Sequence, residues 1–531
     1  MLLDNFKLKG MPNKAALMVA ETVVREELAA RTLRGEDYQY NWELYNGEHA
    51  KHFRQREKES DKSYKYRRDN SVINNLCAFT VDLSSKYLYG KASKVVRNFS
   101  KKNAETNEKL IELAYDKAKI DSFFLDAATK TSIFGEQLVR FIAVDSDTKL
   151  QVTEVSDKNT YPHPVLLDPR YNFAKVNLYG KLEAVVSFYS AVDFTTGQES
   201  SVMELIVDDS RWTWKSSEKW SYNFGNALRL NLASVPFFRQ LATPLIPLYE
   251  ENPVTLAREF VLFVNSDNKK SDLSAIGDLN ISLDEALTDK RHVFQRLGWP
   301  QLVTSVDLSN VENSPNATWE VAPDFADNQK VGDKFEYLTW DSKQDHQQIY
   351  VDNLERAIMI LSNTAAISTG DLKAIGQLRS GAALITAHSV AIHKTEAKQI
   401  VWDRNEKEFY RAMVGYDSYM HNEAPDIRYP DFKVFIRFPK DFVPGAEADR
   451  VNIQNTQFAG HLKPLNDLIL EEYGNLTDAE VEEKRAQIIK DSIEVIDSAR
   501  LFESKQAEGG DTPAKPALRT PTVKSKEQPK T

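Results

Sequence analysis

The chain has 531 residues, 41% of them hydrophobic and 27% charged, with a formal net charge of −10. That length exceeds one ordinary core and calls for several domains or layers, in a composition typical of soluble globular proteins. The acidity argues against static DNA binding, because phosphate neutralisation by Lys and Arg supplies most of that affinity, and the single cysteine, Cys77, excludes an internal disulfide and a multi-cysteine zinc site.

In chain order, residues 13–58 read as helical. "AALMVAETVVREELAARTLRG" carries apolar positions at helical spacing and stops at Gly35. "DYQYNWELYNGEHAKHF" is a second helix broken at "NG", with Tyr38, Trp42 and Tyr45 on one face. "SDKSYKYRRDN", residues 60–70, is polar and reads as a loop. "SVINNLCAFTVDLSSKYLYGK" predicts another helix, in which Cys77 is a buried apolar residue. Helical patterns continue over 104–134 and turn into a strand at about Gln137.

From 137 to 242 the period changes. "QLVRFIAV", "LEAVVSFYSAV" and "VMELIVDD" are β-branched and aromatic runs bounded by turn residues, and "RWTWKSSEKWSY" alternates as a half-exposed strand pair. "PHPVLLDPRY" reads as a proline-punctuated connection and "TPLIPLYEENP" as an extended linker. A long helix follows over 271–297, with Ser271 as N-cap, Asp272 in the first turn and Leu273, Ile276, Leu283, Leu287 and Phe294 on one stripe. Short strands and turns fill 299–341.

A second long helix is predicted over 343–366, a rod of about 36 Å. Its apolar face is read as Tyr350, Leu354, Ile358, Leu361 and Ala365, with Gln348, Asp352, Glu355 and Ser362 opposite. The segment "STGDLKAIGQLRSGAAL" then sets Gly370, Gly376 and Gly381 among Lys373 and Arg379, before a third long helix over 381–415. "FKVFIRF" is a strand, Thr477 and Glu480 have capping-box spacing, and residues 505–531 are predicted disordered for want of apolar surface.

Motif chemistry is absent. No phosphate-binding loop, dinucleotide fingerprint, nucleophile elbow or HExxH occurs. His49 and His52 stand three apart and His388 and His393 five apart, neither a helical ligand pair, and "EHAKH" reads as surface helix. No cofactor, metal or catalytic residue is expected, and no membrane span, since no run of eighteen apolar residues exists. The opening residues lack the apolar core of a secretory signal. An enzyme acting on nucleic acid or cell wall through scattered residues, or a structural interaction protein built on a helical hairpin, remain the alternatives.

The order of these elements resembles the portal proteins of tailed bacteriophages, of the type found in phages of Gram-positive bacteria. "NWELYNGEHAKHF", "NSVINNLCAFTVDLSSKYLYGKAS", "SIFGEQLVRFIAVD", "TPLIPLYEEN", "SDLSAIGDLNISLDEALTD", "ISTGDLKAIGQLRSGAALITAHS", "FKVFIRFPKDFVP" and "FAGHLKPLNDLI" are similar, in order, to segments of that family across residues 35 to 500. The resemblance implies an α+β, mostly helical ring subunit. Its parts would be a wing (1–242), a linker and first stem helix (243–298), a small α/β clip (299–342) and a second stem helix (343–366). A tunnel loop (367–380), a long helix and strand returning to the wing (381–448), a helical crown (449–504) and the tail (505–531) would complete it.

It further implies a ring of about twelve subunits at one capsid vertex, assembled in the host cytoplasm and carried in the virion. The ring would pass double-stranded DNA in packaging and ejection, dock the terminase large subunit, later bind head-completion connector proteins, and contact the major capsid and scaffold proteins. Thr369, Gly370, Asp371, Lys373, Gly376, Gln377 and Arg379 would form the DNA-facing loop, and Asp352, Glu355 and Arg356 would lie on the stem. Glycines would let that loop follow a rod whose symmetry differs from the ring's, while Lys373 and Arg379 touch phosphates transiently. The same two cations would equally serve to solubilise a turn.

Overall fold

The structure, a computed structural model, describes residues 13–89, 94–97, 110–111, 116–145, 160–177, 180–192, 199–208, 210–216, 246–251, 256–298, 301–303, 336–338, 344–364, 381–421, 432, 434–438, 465–466, 469 and 481–490. The expected tunnel loop, most of the clip and crown, and the tail lie outside these residues. Two compact units divide the chain, Met1–Glu447 and Ala448–Thr531. In the second, residues 481–490 are helical, with Val481 buried. The fold class is α+β and mostly helical.

The first unit contains a five-stranded antiparallel sheet in the order β4(Asn172–Val176), β5(Leu182–Val192), β6(Glu199–Val207), β7(Ser210–Ser216), β8(Ile246–Glu251). Side chains alternate between its faces, as the period of two requires. Phe173, Val186, Met203, Leu205, Trp212 and Trp214 meet helix α1(Asn13–Arg34) through Ala16, Ala20, Val23, Val24 and Leu28. Ala174, Val185 and Ile206 meet Leu138, Leu256 and Phe260 on the other side. The proline-marked segment read as a linker is therefore partly β8. Pro247 lies opposite Trp214 at the sheet edge, where a residue without an N–H is tolerated.

A three-stranded antiparallel sheet, β3(Thr160–Leu167), β2(Glu136–Asp145), β9(Phe260–Val264), sits beside it. The short helix α6(Leu256–Glu259) precedes β9. Two arginines and two glutamates tie the sheets together: Arg140 pairs with Glu204 at 3.0 Å and Glu259 at 2.7 Å, and Arg211 with Glu259 at 2.8 Å. With two charges of each sign, neither Glu204 nor Glu259 is left uncompensated.

Besides α1, the described residues before these sheets form the helices α2(Tyr38–Tyr45), α3(Asp61–Asp69), α4(Leu76–Tyr89) and α5(Ile120–Phe134). Helix α5 ends at Gly135, whose φ of +84° and whose carbonyl neighbour, Lys269 O at 2.2 Å from where a Cβ would stand, leave room only for glycine. Trp42 stacks on Phe134 at 5.9 Å, so the predicted aromatic face of α2 does point inward. Cys77 is fully buried.

Residues 61–69, read as loop, are helical. They carry no apolar stripe, and the helix is fixed by polar groups instead: Ser60 caps the Ser63 N–H, and buried Arg67 pairs with Glu59 at 2.9 Å and Glu285 at 3.2 Å. The long helix α9(Gly381–Met420) runs past its expected end at 415. Trp402, Phe409, Tyr410 and Met413 on it close the largest core, with Tyr89, Phe123, Phe124, Phe141 and Phe263. Strands β1(Lys94–Arg97) and β12(Val434–Arg437) pair antiparallel.

Candidate assembly surface on the paired helices

The two predicted rods are α7(Gly277–Gly298) and α8(Gln344–Ser362), and they pack against each other. Between them β10(Gln301–Val303) and β11(Glu336–Leu338) pair antiparallel, so the chain leaves α7 and re-enters α8 at the same end. Lys290 donates to Gln348 near that end. Helix α7 begins six residues later than expected. Ser271 does not cap it; its hydroxyl donates to Ile133 O at 2.7 Å and accepts from the Leu273 N–H, holding a separate turn. Gly277 then lets α7 approach α2, since a Cβ there would lie 2.6 Å from a Leu44 methyl.

One face of α7 is anchored by polar groups that no apolar pattern announces. Asp284 is fully buried and faces His49 Nδ1 at 2.5 Å. It also accepts from the Asn74 N–H at 2.8 Å. His49 Nε2 lies 2.7 Å from Leu44 O; a carbonyl only accepts, so Nε2 carries a proton and the other ring nitrogen shares one with Asp284. Burial raises the Asp284 carboxyl despite those hydrogen bonds. Asn280 donates to Asn74 O at 2.8 Å and accepts from the Cys77 N–H at 3.0 Å, and Thr288 accepts from the Val72 N–H at 3.0 Å. The asparagine-rich segment before α4 thus docks backbone-first on α7. "EHAKH" is accordingly no surface helix: His49 lies at the centre of this contact.

The face of α8 differs from the predicted one. Val351 and Ile358 are buried, with Ser362, and Leu354 is partly buried. Tyr350 and Leu361, expected inside, are 54% and 50% exposed, and Ile349 and Ile360 are 54% and 66% exposed. At 100° per residue, Ile349 and Ile360 point directly away from the buried stripe. The run "IYV" supplies an apolar residue in three directions, so periodicity alone could not select the inner one. Phe294, expected on the buried stripe of the first rod, is instead 48% exposed on α7, with the Lys290 ammonium 5.8 Å from its ring centre.

Of the expected stem residues, Asp352 is exposed and accepts from Gln348 at 2.5 Å, and Arg356 is exposed. Glu355 turns inward and accepts from Asn74 Nδ2 at 3.3 Å; burial, then the neighbouring Asp352, raises its carboxyl. The three therefore do not form one charged face. Thr369, Gly370, Asp371, Lys373, Gly376, Gln377 and Arg379 lie outside the described residues.

Helix α8 stops at Ser362 rather than 366 because Asn363 adopts φ +55°. Thr364 N–H bonds Met359 O at 3.0 Å and Asn363 N–H bonds Ile360 O at 3.2 Å, the two bonds of a left-handed C-terminal cap. Lys394 on α9 donates to Ser362 O at 3.0 Å. One turn on, Lys398 is buried and donates to Asp272 at 2.5 Å and Ser132 at 3.0 Å. Burial pushes the Lys398 amine down to about 8. Burial alone would raise Asp272, but Lys398 and Lys394 prevail and hold its carboxyl well below the usual range. Thus α9 grips the turn that leads into α7 and the last residue of α8 together. These contacts join residues 126 and 32 apart in sequence, with no local signature.

No known protein family matches the chain, and no curated protein matches it. Among the described residues no group of three His, Cys, Asp or Glu could hold a metal, and no helix is long and apolar enough to cross a membrane.

Proposed function

We propose that the chain is a portal-type ring subunit, assembling around a channel for double-stranded DNA at a capsid vertex. The observation that carries this reading is α8: one face is buried in its own subunit, while Ile349 and Ile360 opposite it and Tyr350 and Leu361 on its flank stand bare, with Asn353 and Arg356 between the two isoleucines. Several large apolar side chains exposed on one helix, set among polar ones, mark an interaction site in a soluble protein. Covering each of these half-exposed side chains would contribute about 1–2 kcal/mol. A helix in a closed ring has a neighbour on each side, which calls for two apolar faces on one rod. The junction through Lys394 and Lys398 would hold both rods to the long helix at one fixed angle. That gives the stiffness a ring needs if its subunits are to meet repeatedly in the same way.

In this reading the rods form the stem, the residues between them the clip that meets the terminase motor and later the connectors, and the segment after Thr364 the loop around DNA. Its function is mechanical, with no catalytic residue, cofactor or metal. Negative-stain images of the purified protein test it. Rings with a central hole wide enough for a duplex are expected. A field of single compact particles at high protein concentration would overturn the proposal.

A further inference from the structure

A second surface is independent of the rods' bare face. Residues 51–70 carry eight Lys and Arg against four Asp and Glu, in a chain whose net charge is −10. The structure disposes of those charges unequally. Glu59 is committed to Arg67 at 2.9 Å and to the Arg56 N–H at 3.0 Å. From α7, Glu285 takes Arg67 at 3.2 Å, and Asp289 takes Arg56 at 2.5 Å. Asp61 accepts from Gln55 at 3.0 Å. Left exposed, with no carboxylate paired to them among the described residues, are the side chains of Arg54, Lys58, Lys62, Lys65 and Arg68; Glu57 and Asp69 are the exposed acids beside them.

Lys62, Lys65 and Arg68 follow one another on α3 at three-residue intervals, about 4.5 Å of rise per step. Tyr66 stands among them, 56% exposed and stacked on His292 at 5.6 Å. The ledge is rigid: Tyr64 OH donates to Phe53 O at 2.7 Å, and Arg67 Nη2 to Arg54 O at 2.6 Å.

We infer that α3 and the turn before it form a docking surface for the phosphate backbone of duplex nucleic acid. The outward side of α3 is Asp61, Lys62, Ser63, Lys65, Tyr66, Arg68 and Asp69, with no aliphatic residue. A protein interface draws on a desolvated apolar centre, whereas phosphate contacts need only spaced cations and polar hydroxyls. The acidic remainder of the chain keeps the interaction weak and local, suited to a duplex that must move.

The test is fluorescence anisotropy of the full chain with a labelled mixed-sequence duplex, titrated between 50 and 200 mM salt. With about four phosphate contacts the log–log salt slope is expected near −3.6, and K62A/K65A/R68A should flatten it by about 2.7. Affinity at 50 mM should fall at least tenfold. K62Q/K65Q, which keeps the Arg68 guanidinium over the Tyr64 ring at 5.6 Å, should flatten the slope by about 1.8 and carries the test should the triple variant fold poorly. Unchanged affinity and slope in K62Q/K65Q would overturn the inference. So would unchanged duplex binding with altered self-association, which would assign the ledge to an acidic face of a neighbouring chain.

Discussion

The five-stranded sheet and the α7–α8 pair solve the same problem differently. The sheet is covered on both faces by the chain's own elements, α1 on one side and the three-stranded sheet with α6 on the other. The rods are covered on one face only, and Ile349, Tyr350, Ile360 and Leu361 face away from anything the described chain provides. The sheet is thus complete in one copy, and the rods are not. Stability and assembly should accordingly separate under mutation, the first tracking the sheet and the rods' base, the second the bare face.

The largest effect is expected where the chain is complete. Trp212→Ala empties a fully buried site between α1 and the sheet, and large aromatic truncations cost about 3–5 kcal/mol. Denaturant unfolding would show it. A loss below 1 kcal/mol would mean that α1 is not a genuine cover.

Asp272→Ala comes next, because it leaves Lys398 buried without its partner, a change that costs about 3 kcal/mol or more. The acid limb gives a second readout. The folded pKa of Asp272 lies below its unfolded value of 3.8, so its stabilisation is complete above about pH 4 and is lost as pH falls from there through the folded pKa. Stability of the variant should fall less steeply below pH 4 than that of the parent chain.

At Asn363 the effect is smaller and its size depends on the residue. Asn363→Val forces a β-branched side chain into the left-handed region at a cost of about 1–2 kcal/mol, whereas Asn363→Gly should be close to neutral. Thermal unfolding distinguishes them; equal losses would refute the cap.

How much of this was legible in the sequence depends on what holds each element. Apolar period found α1, α2, α4, α7, α8 and α9 and the strands β2, β5, β6, β7 and β12, because burial shapes those segments. It failed at α3, which is held by Arg67 and a serine cap, and at β3 and β8, where prolines read as a connection and a linker though a sheet edge accepts them. On α8 it placed Ile358 and Leu354 inside as they are, but took Tyr350 and Leu361 for Val351 and Ser362, since "IYV" offers apolar atoms in several directions. His49 with Asp284, 235 residues apart, and Lys398 with Asp272 left no trace, because long-range polar pairs have no period.

The most direct test of the rods' incompleteness is the solution mass of the parent chain beside that of I349E/I360E, both measured at the same concentration. The parent should form a closed particle of many 60.5 kDa subunits. The variant, altered only at exposed sites, should keep its unfolding free energy within about 0.5 kcal/mol and run as a monomer. A parent chain that is itself monomeric, or a variant that assembles unchanged, would contradict the assignment of that face to a neighbouring subunit.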